Sequence, residues 1–500
     1  MAWRRVITAT SPASPGIRRS LALVFVNRYA VMAISVFSTL ALARLVTPAE
    51  TGLFSVTASI VLVAQAVREV GIVEFLMQDR DLTSDKIRTA FGMTIVTSWS
   101  LGGLIFLTRG WMADLYGTPD LGSLIGLASI SFLTAPLSST SMALLNRNMQ
   151  FGKLLCISAG ANLVNAAVSI TLTSMGFGAS GLTIGLVAMG ATSAAMASLL
   201  CRSWSHFIPS LSAWREILSF GAYVSIINII NQIAARVPDL IIGRGLGYAS
   251  VGIYNRANGT VGLFGYLVAS AIQAVTFPAL ARMNRAGEDL RQPYLTIVTL
   301  MTGVAFPALT LVSVTGEPVV EVLLGHQWSA AVALIPYIAA ATIIEGFTPQ
   351  SAVVLTVIGE ISHSLRITLL LRGAQVVSLL FFVHFDLHWV AMGQVGCSVL
   401  SVALNARALR RHLRLEMRDL FMASWGSGVL AMITVAPVFA VQWWRDGAND
   451  PALVTLALEY AAAGVAWLGG AAAVRHPITR EIMTTLRRAK PGTMRRTGGE

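Results

Sequence analysis

Apolar residues run along this chain in long blocks, separated by short stretches of polar and basic residues. A helix that crosses a bilayer needs roughly 20 mostly apolar residues. That criterion predicts spans near 21–43, 53–77, 89–108, 121–145, 154–174, 179–201, 216–237, 250–280, 293–314, 329–358, 363–384, 386–407, 420–442 and 453–474. Several are long enough to tilt or to extend past the bilayer. The expected fold class is therefore all-α integral membrane, with about fourteen transmembrane helices.

Composition points the same way. Of 500 residues, 55% are apolar and 12% charged, and the mean hydropathy is +0.69. A soluble fold would have to hide that excess in one core, and soluble cores stop growing well below this size. Cys156, Cys201 and Cys397 lie far apart in apolar stretches with no metal spacing, so buried thiols are expected. The first apolar run is too long for a signal-peptide core and lacks a small-x-small cleavage site, so it reads as a retained helix.

The net charge of +12 would suggest nucleic acid in a soluble protein, but here it sorts by topology. The two termini and the even-numbered loops carry about 27 of the 36 Lys and Arg residues. The opposite loops carry Arg44, Arg109, Arg236, Arg244, Arg256 and Arg445. The positive-inside rule then puts both termini in the cytoplasm, and topogenic charge replaces nucleic acid as the reason for the basic balance. Trp111, Trp328, Trp443 and Trp444 mark the outer interface, and Trp204 and Trp214 the inner one. The tail from Arg475 reads as a basic surface helix that frays toward its Pro, Gly and Thr residues.

An internal repeat organises the spans. ARLVTPAETGLF from Ala43 and GRGLGYASVGIY from Gly243 align at a constant offset of 200. Arg44 meets Arg244, Ala49 meets Ala249 and Gly52 meets Gly252, each in the outer turn between the first two helices of a half. The reading is a cytoplasmic tail (1–20), a first six-helix half (21–201), an interfacial linker (202–215), a second six-helix half (216–407), two additional helices (408–474) and a basic tail (475–500). Two halves around a central cavity are an architecture for alternating access.

Particular stretches resemble a known family. ARLVTPAETGLF is similar to the first outer turn of the bacterial polysaccharide transporters, the Wzx-type flippases of lipid-linked oligosaccharides. These belong to the exporter superfamily that also holds the multidrug extruders. REVGIVEFLMQDRDLTSDKIRTAF (Arg68 to Phe91), ARVPDLIIGRGLGYASVGIYNRAN (Ala235 to Asn258) and VTFPALARM (Val275 to Met283) resemble later parts of the same pattern. Beyond about residue 285 the likeness is in topology and hydropathy only. The resemblance implies movement of undecaprenyl-pyrophosphate-linked repeat units from the cytoplasmic to the periplasmic leaflet of the bacterial inner membrane, for exopolysaccharide, capsule or O-antigen. It also implies membrane lipids as surroundings, and a polymerase and a chain-length regulator of the same pathway as partners. A cation-coupled multidrug or metabolite extruder is the first alternative. A membrane polysaccharide polymerase is the second, although no large external loop for sugar chemistry is visible.

Such a substrate needs a wet cavity with cations for the phosphates and hydrogen-bonding groups for the sugar. Ionisable residues inside a span cost at least ~2.5–3.5 kcal/mol each, so they are the candidates. The second span carries Gln65, Arg68 and Glu69 on one face. Arg68 is a candidate phosphate contact and Glu69 a proton or orientation partner, with a clasp between helices as the competing account. The seventh span carries Asn228, Asn231, Gln232, Arg236 and Asp239, most of them on one stripe, with Pro238 expected to break or kink the helix. The eighth carries Tyr254, Asn258 and Gln273, where helix packing is the favoured account over a sugar path. Arg28 lies about 10 Å from the inner end of the first span, where it could snorkel or meet the pyrophosphate. The run His384-Phe-Asp386-Leu-His388 has no third ligand cluster near it in sequence, and no metal site is expected. No P-loop, nucleophile elbow or HExxH motif occurs, so no catalytic residue or cofactor is assigned and an enzyme is not expected.

Overall fold

The computed structural model describes residues 15–68, 71–79, 81–201, 208–444 and 452–479. All regular elements among them are helical. In chain order they begin with α1 (Pro15–Ala43), α2 (Pro48–Arg68), α3 (Ile72–Gln78), α4 (Ser84–Tyr116), α5 (Pro119–Ser129), α6 (Ser131–Arg147), α7 (Phe151–Ser174), α8 (Gly178–Cys201) and α9 (Trp214–Gly245). They continue with α10 (Tyr248–Arg285), α11 (Arg291–Val314), α12 (Gly316–Leu323), a 3₁₀ helix (His326–Leu334), α13 (Ile335–Glu345) and α14 (Ser351–Val357). The last four are α15 (Ile361–Phe382), α16 (Leu387–Leu413), α17 (Met417–Trp444) and α18 (Ala452–Ala473).

Among the described residues, eleven helical stretches are long and apolar enough to cross a membrane. Helices α1, α9 and α10 add 29, 32 and 38 residues. What faces outward confirms the solvent. Leu107 and Trp443 are 81% and 82% exposed, and Phe37, Val377, Met432 and Val465 are also largely uncovered, while Thr57, Ser59, Asp239 and Glu459 are buried. In water so much exposed apolar surface would drive association; in lipid it is the ordinary arrangement. The chain is a multi-pass membrane protein.

Several expected spans differ in detail. The span read at 121–145 is two helices meeting at Ile130. The one read at 329–358 is three pieces, a 3₁₀ segment, α13 and α14. Hydropathy sums over such breaks because it ignores backbone geometry. Pro238 does not break α9, which runs on to Gly245. One lost backbone hydrogen bond is tolerable where neighbouring helices cover the site. The thiols are not uniformly buried: all three are free and Cys156 is exposed. Trp328 is no interface marker either, since it is wholly buried.

The described residues fall into two compact units, residues up to 255 with 379–387, and residues 256–378 with those from 388 onward. In the first, α2 packs along α9, α7 pairs with α8, and α4 lies against α5 and α6. Helix α2 starts cleanly because Thr47 and Glu50 form a reciprocal capping box around Pro48. The Thr47 amide donates to Glu50 Oε2 at 2.8 Å, and the Glu50 amide to Thr47 Oγ1 at 3.2 Å. In the linker, residues 202–207 lie outside the described set, but the following residues pack on the start of α4. The Ser210 amide donates to the Arg88 carbonyl at 3.2 Å, and Arg88 Nε to the Ile208 carbonyl at 3.1 Å. Lys86 joins Asp79 at 3.0 Å and Glu216 at 2.6 Å. Its hydrogen bond holds the Asp79 carboxyl below the usual carboxylate range. In the second unit α11 packs on α17, and α17 on α18.

Candidate functional site

The two turns aligned at the offset of 200 come together in space. A Cβ added at Gly52 would lie 2.5 Å from the Tyr248 carbonyl carbon and closer still to its oxygen. A Cβ added at Gly252 would crowd the Pro48 carbonyl in the same way. The contact is reciprocal: 52 meets 248 and 252 meets 48. The two aligned glycines thus let the first turns of α2 and α10 cross backbone against backbone. Tyr116 stacks on Tyr248 at 6.4 Å and donates its hydroxyl to the Leu240 carbonyl at 3.0 Å, tying α4 to this crossing.

Deeper in, where α9 packs along α2, sits Asp239, 7% exposed. Its Oδ2 accepts from Ser59 Oγ at 2.6 Å and its Oδ1 from Asn255 Nδ2 at 2.9 Å. The three residues come from α9, α2 and α10. Counted from the helix ends, they lie roughly 10–16 Å inside the end opposite the basic loops. Gly52, Val56 and Ser59 recur at spacings of four and three, so one buried stripe of α2 carries both the glycine contact and the hydroxyl. A carboxylate held by a hydroxyl and an amide, inside membrane-spanning helices, can take up a proton or a small cation as it changes environment. Arg236 sits one turn earlier on α9.

Arg68 ends α2 and is 5% exposed. It borders a cavity of about 10 Å³, room for roughly one water, with Thr94, Ser139 and Thr140. Nine residues separate it from Ser59, roughly 14 Å along the axis. The structure therefore does not bring Arg68 and Asp239 into one site; it sets them at two depths. Tyr254 is buried, Gln65, Asn231, Arg236 and Asn258 are half-buried, and Gln232 is exposed, so the polar stripe of α9 is not uniformly covered. Glu69 and the side chains of Arg28, Asn228 and Gln273 lie outside the described residues.

Sequence reasoning missed Ser59, Glu345 and Glu459. Glu459 is 1% exposed and accepts from Gln442 Nε2 at 2.9 Å, and Glu345 accepts from Ser398 Oγ at 3.1 Å. Both glutamates interrupt long apolar runs, so the rule that selected Glu69 would have found them. Ser59 has no such signal, because a serine in a helix can always bond its own backbone. Arg256, assigned to an outer loop, lies inside α10 with its guanidinium 4.9 Å from the Trp328 ring centre, a cation–π contact that also accounts for that buried tryptophan.

Residues 41–333, more than half of the chain, match the family described as polysaccharide biosynthesis protein. The chain belongs to this family. Both the glycine crossing and the Asp239 cluster fall within the matched stretch of this polysaccharide biosynthesis protein. Among curated relatives, it is 25% identical over 279 residues to the teichuronic acid biosynthesis protein TuaB of Bacillus subtilis, covering 55% of this chain and 58% of that one. It is 25% identical over 297 residues to the lipopolysaccharide biosynthesis protein WzxC of Escherichia coli, covering 58% and 60%. It is 23% identical over 290 residues to the succinoglycan biosynthesis transport protein ExoT of Rhizobium meliloti, covering 58% and 59%. The matched region thus spans about 60% of the length of these relatives. The fold is that of the lipid II flippase MurJ in an inward closed conformation, with TM-score 0.71, 11% identity and coverage of 93% of this chain and 100% of that one. An inward-facing multidrug MATE transporter shares it at TM-score 0.60, 15% identity and coverage of 79% and 96%.

Proposed function

We propose that this polysaccharide biosynthesis protein flips lipid-linked oligosaccharide repeat units, carried on undecaprenyl pyrophosphate, from the cytoplasmic to the periplasmic leaflet by alternating access. The observation that carries the reading is the pair Arg68 and Asp239, a cation and a carboxylate buried within a fold shared with a lipid II flippase. Burying either in a membrane helix is costly, and residues kept there at that cost mark substrate and ion pathways. Arg68 near the basic end suits a phosphate arriving from the cytoplasm, and Arg236 a phosphate further along. The likeness to relatives named for polysaccharide and lipopolysaccharide biosynthesis supports the substrate class.

On this reading the bacterial inner membrane holds about fourteen spans, arranged as six, six and two, with both termini cytoplasmic. The passenger is moved rather than chemically changed, and a polymerase and chain-length regulator act next. A pyrophosphate with about two negative charges moves toward the positive side, and 100 mV favours that by roughly 2.3 kcal/mol per charge. Proton or sodium exchange at Asp239 or Glu69 is the further source of drive. The experiment is complementation of a flippase-null strain. Arg68→Ala and Arg236→Ala should each abolish polymer export at normal membrane levels and leave single repeat units on the inner leaflet. Normal export by both variants would sink the cationic pathway. Units exported but unpolymerised would point to a polymerase, and restored drug resistance without polymer to an extruder.

A further inference from the structure

A second polar constellation lies away from Asp239, at the ends of α15 and α16. His363 Nδ1 and His412 Nε2 are 3.1 Å apart, and His412 Nδ1 is 3.7 Å from Glu360 Oε1. These side chains line a pocket of about 420 Å³ together with Arg366, Arg407 and Arg411. The pocket is graded in depth. On α15 it passes from His363 through Arg366 and Ile367 to Leu370, and on α16 from Arg411 through Arg407 to Leu404. Seven residues on each helix cover roughly 10 Å of rise, with charge at the loop end and aliphatic carbon at the deep end. Leu369, Leu370, Val377 and Phe381 of α15 are exposed, so this helix flank faces the bilayer.

Glu360, His363 and His412 by themselves have the spacing of a metal site, all ligand atoms lying within 4.8 Å of one another. The surroundings argue otherwise. Three guanidinium groups against a single carboxylate make a positive field that repels a divalent cation and attracts an anion. Guanidinium groups bind phosphate oxygens in pairs, and imidazole N–H groups can add to them. An apolar channel leading into the bilayer has no use for a free ion, but it fits an acyl chain. We propose that this pocket holds the phosphate headgroup of an anionic phospholipid from the surrounding leaflet, with an acyl chain laid over Ile367, Leu370 and Leu404. The same chemistry recurs where basic pockets between spanning helices seat anionic lipids. The site would couple α15 to α16 through a lipid, and it is independent of what passes through the transporter.

The test uses the full chain purified in a neutral detergent, read by native mass spectrometry and thermal unfolding. Phosphatidylglycerol should stay bound and raise the melting temperature, and phosphatidylcholine should not. Arg407→Gln and Arg411→Gln should each weaken phosphatidylglycerol retention about fivefold, as loss of one basic contact at a membrane surface implies. Arg475→Gln, a basic residue elsewhere in the second unit, should leave it unchanged. Equal retention in wild type and the Arg407→Gln/Arg411→Gln double variant would overturn the proposal, provided the variant melts cooperatively. Equal stabilisation by inorganic phosphate at the same concentration would overturn the lipid assignment. Stoichiometric zinc binding abolished by His363→Gln, with lipid retention untouched, would overturn it in favour of a metal site.

Discussion

The reciprocal contact of Gly52 and Gly252 yields the sharpest test of the architecture. In Gly52→Ala the new methyl lies 2.5 Å from a backbone carbonyl carbon, against a floor of 3.0 Å for real contacts, so the helices must part by at least 0.5 Å there and further for the oxygen. Backbone cannot rotate away as a side chain can. Overpacking of this kind costs about 1–3 kcal/mol. If the crossing of α2 and α10 seals the outer end in one transport state only, that cost falls on the sealed state alone. The population ratio then shifts roughly 5- to 150-fold toward the unsealed one. In a cysteine-free background carrying Val56→Cys, a position wholly buried on the same stripe of α2, a membrane-impermeant maleimide should label Gly52→Ala cells faster by on the order of tenfold or more. Gly252→Ala should do the same. The double variant should gain little further, because both changes break one contact. Gly103→Ala, where a Cβ meets nothing within 4 Å, should behave as wild type. Wild-type labelling and export in both Gly52→Ala and Gly252→Ala would refute the argument that these glycines form a seal.

Four more outcomes follow from the described contacts. Ser59→Ala removes one of the two donors to the buried Asp239 carboxylate and should lower stability by about 1–3 kcal/mol, read as a lower melting temperature in detergent. Asp239→Asn keeps the shape but removes the charge, so membrane levels should hold while export fails, and unimpaired export would end its role in coupling. Glu50→Ala opens the capping box at α2 and should cost about 0.5–2 kcal/mol. His476 accepts from the Ile478 amide at Nδ1, so its Nε2 proton faces Ser427 at 3.2 Å and the ring is neutral. Burial pushes its pKa below the ordinary 6.5, so its stabilising contribution is complete above that value and is lost as pH falls toward the folded pKa. Thermal stability should therefore drop as the pH falls below about 6.5, and His476→Gln should flatten that slope; an unaltered slope in the variant would remove His476 as its cause.

Much of this fold was legible along the chain because lipid imposes a simple rule. Every backbone polar group in the bilayer must be satisfied within a helix, so spans announce themselves as apolar blocks of known length. The capping box at Thr47 and Glu50 is a local pattern too, yet it went unread in the sequence and came from the structure. Hydropathy could not see the breaks at Ile130 and between α13 and α14, since a helix interruption buried in protein leaves the apolar count unchanged. Trp328 shows the same limit: a tryptophan at a loop edge looks like an interface anchor until Arg256 is found against its face.

The candidate site divides along the same line. Asp239 and Arg68 were nominated as candidates by sequence alone, because a charge in an apolar run is costly wherever the helix sits. The offset of 200 was also in the sequence, as three identities in twelve positions. Only the tertiary structure decided that Gly52 and Gly252 meet each other's helices, that Ser59 and Asn255 hold Asp239, and that Arg68 lies at another depth. It alone gathered Glu360, His363 and His412 with three arginines from two helices. Those partners are neutral or far apart in sequence, and their chemistry exists only once helix packing brings them within hydrogen-bonding reach.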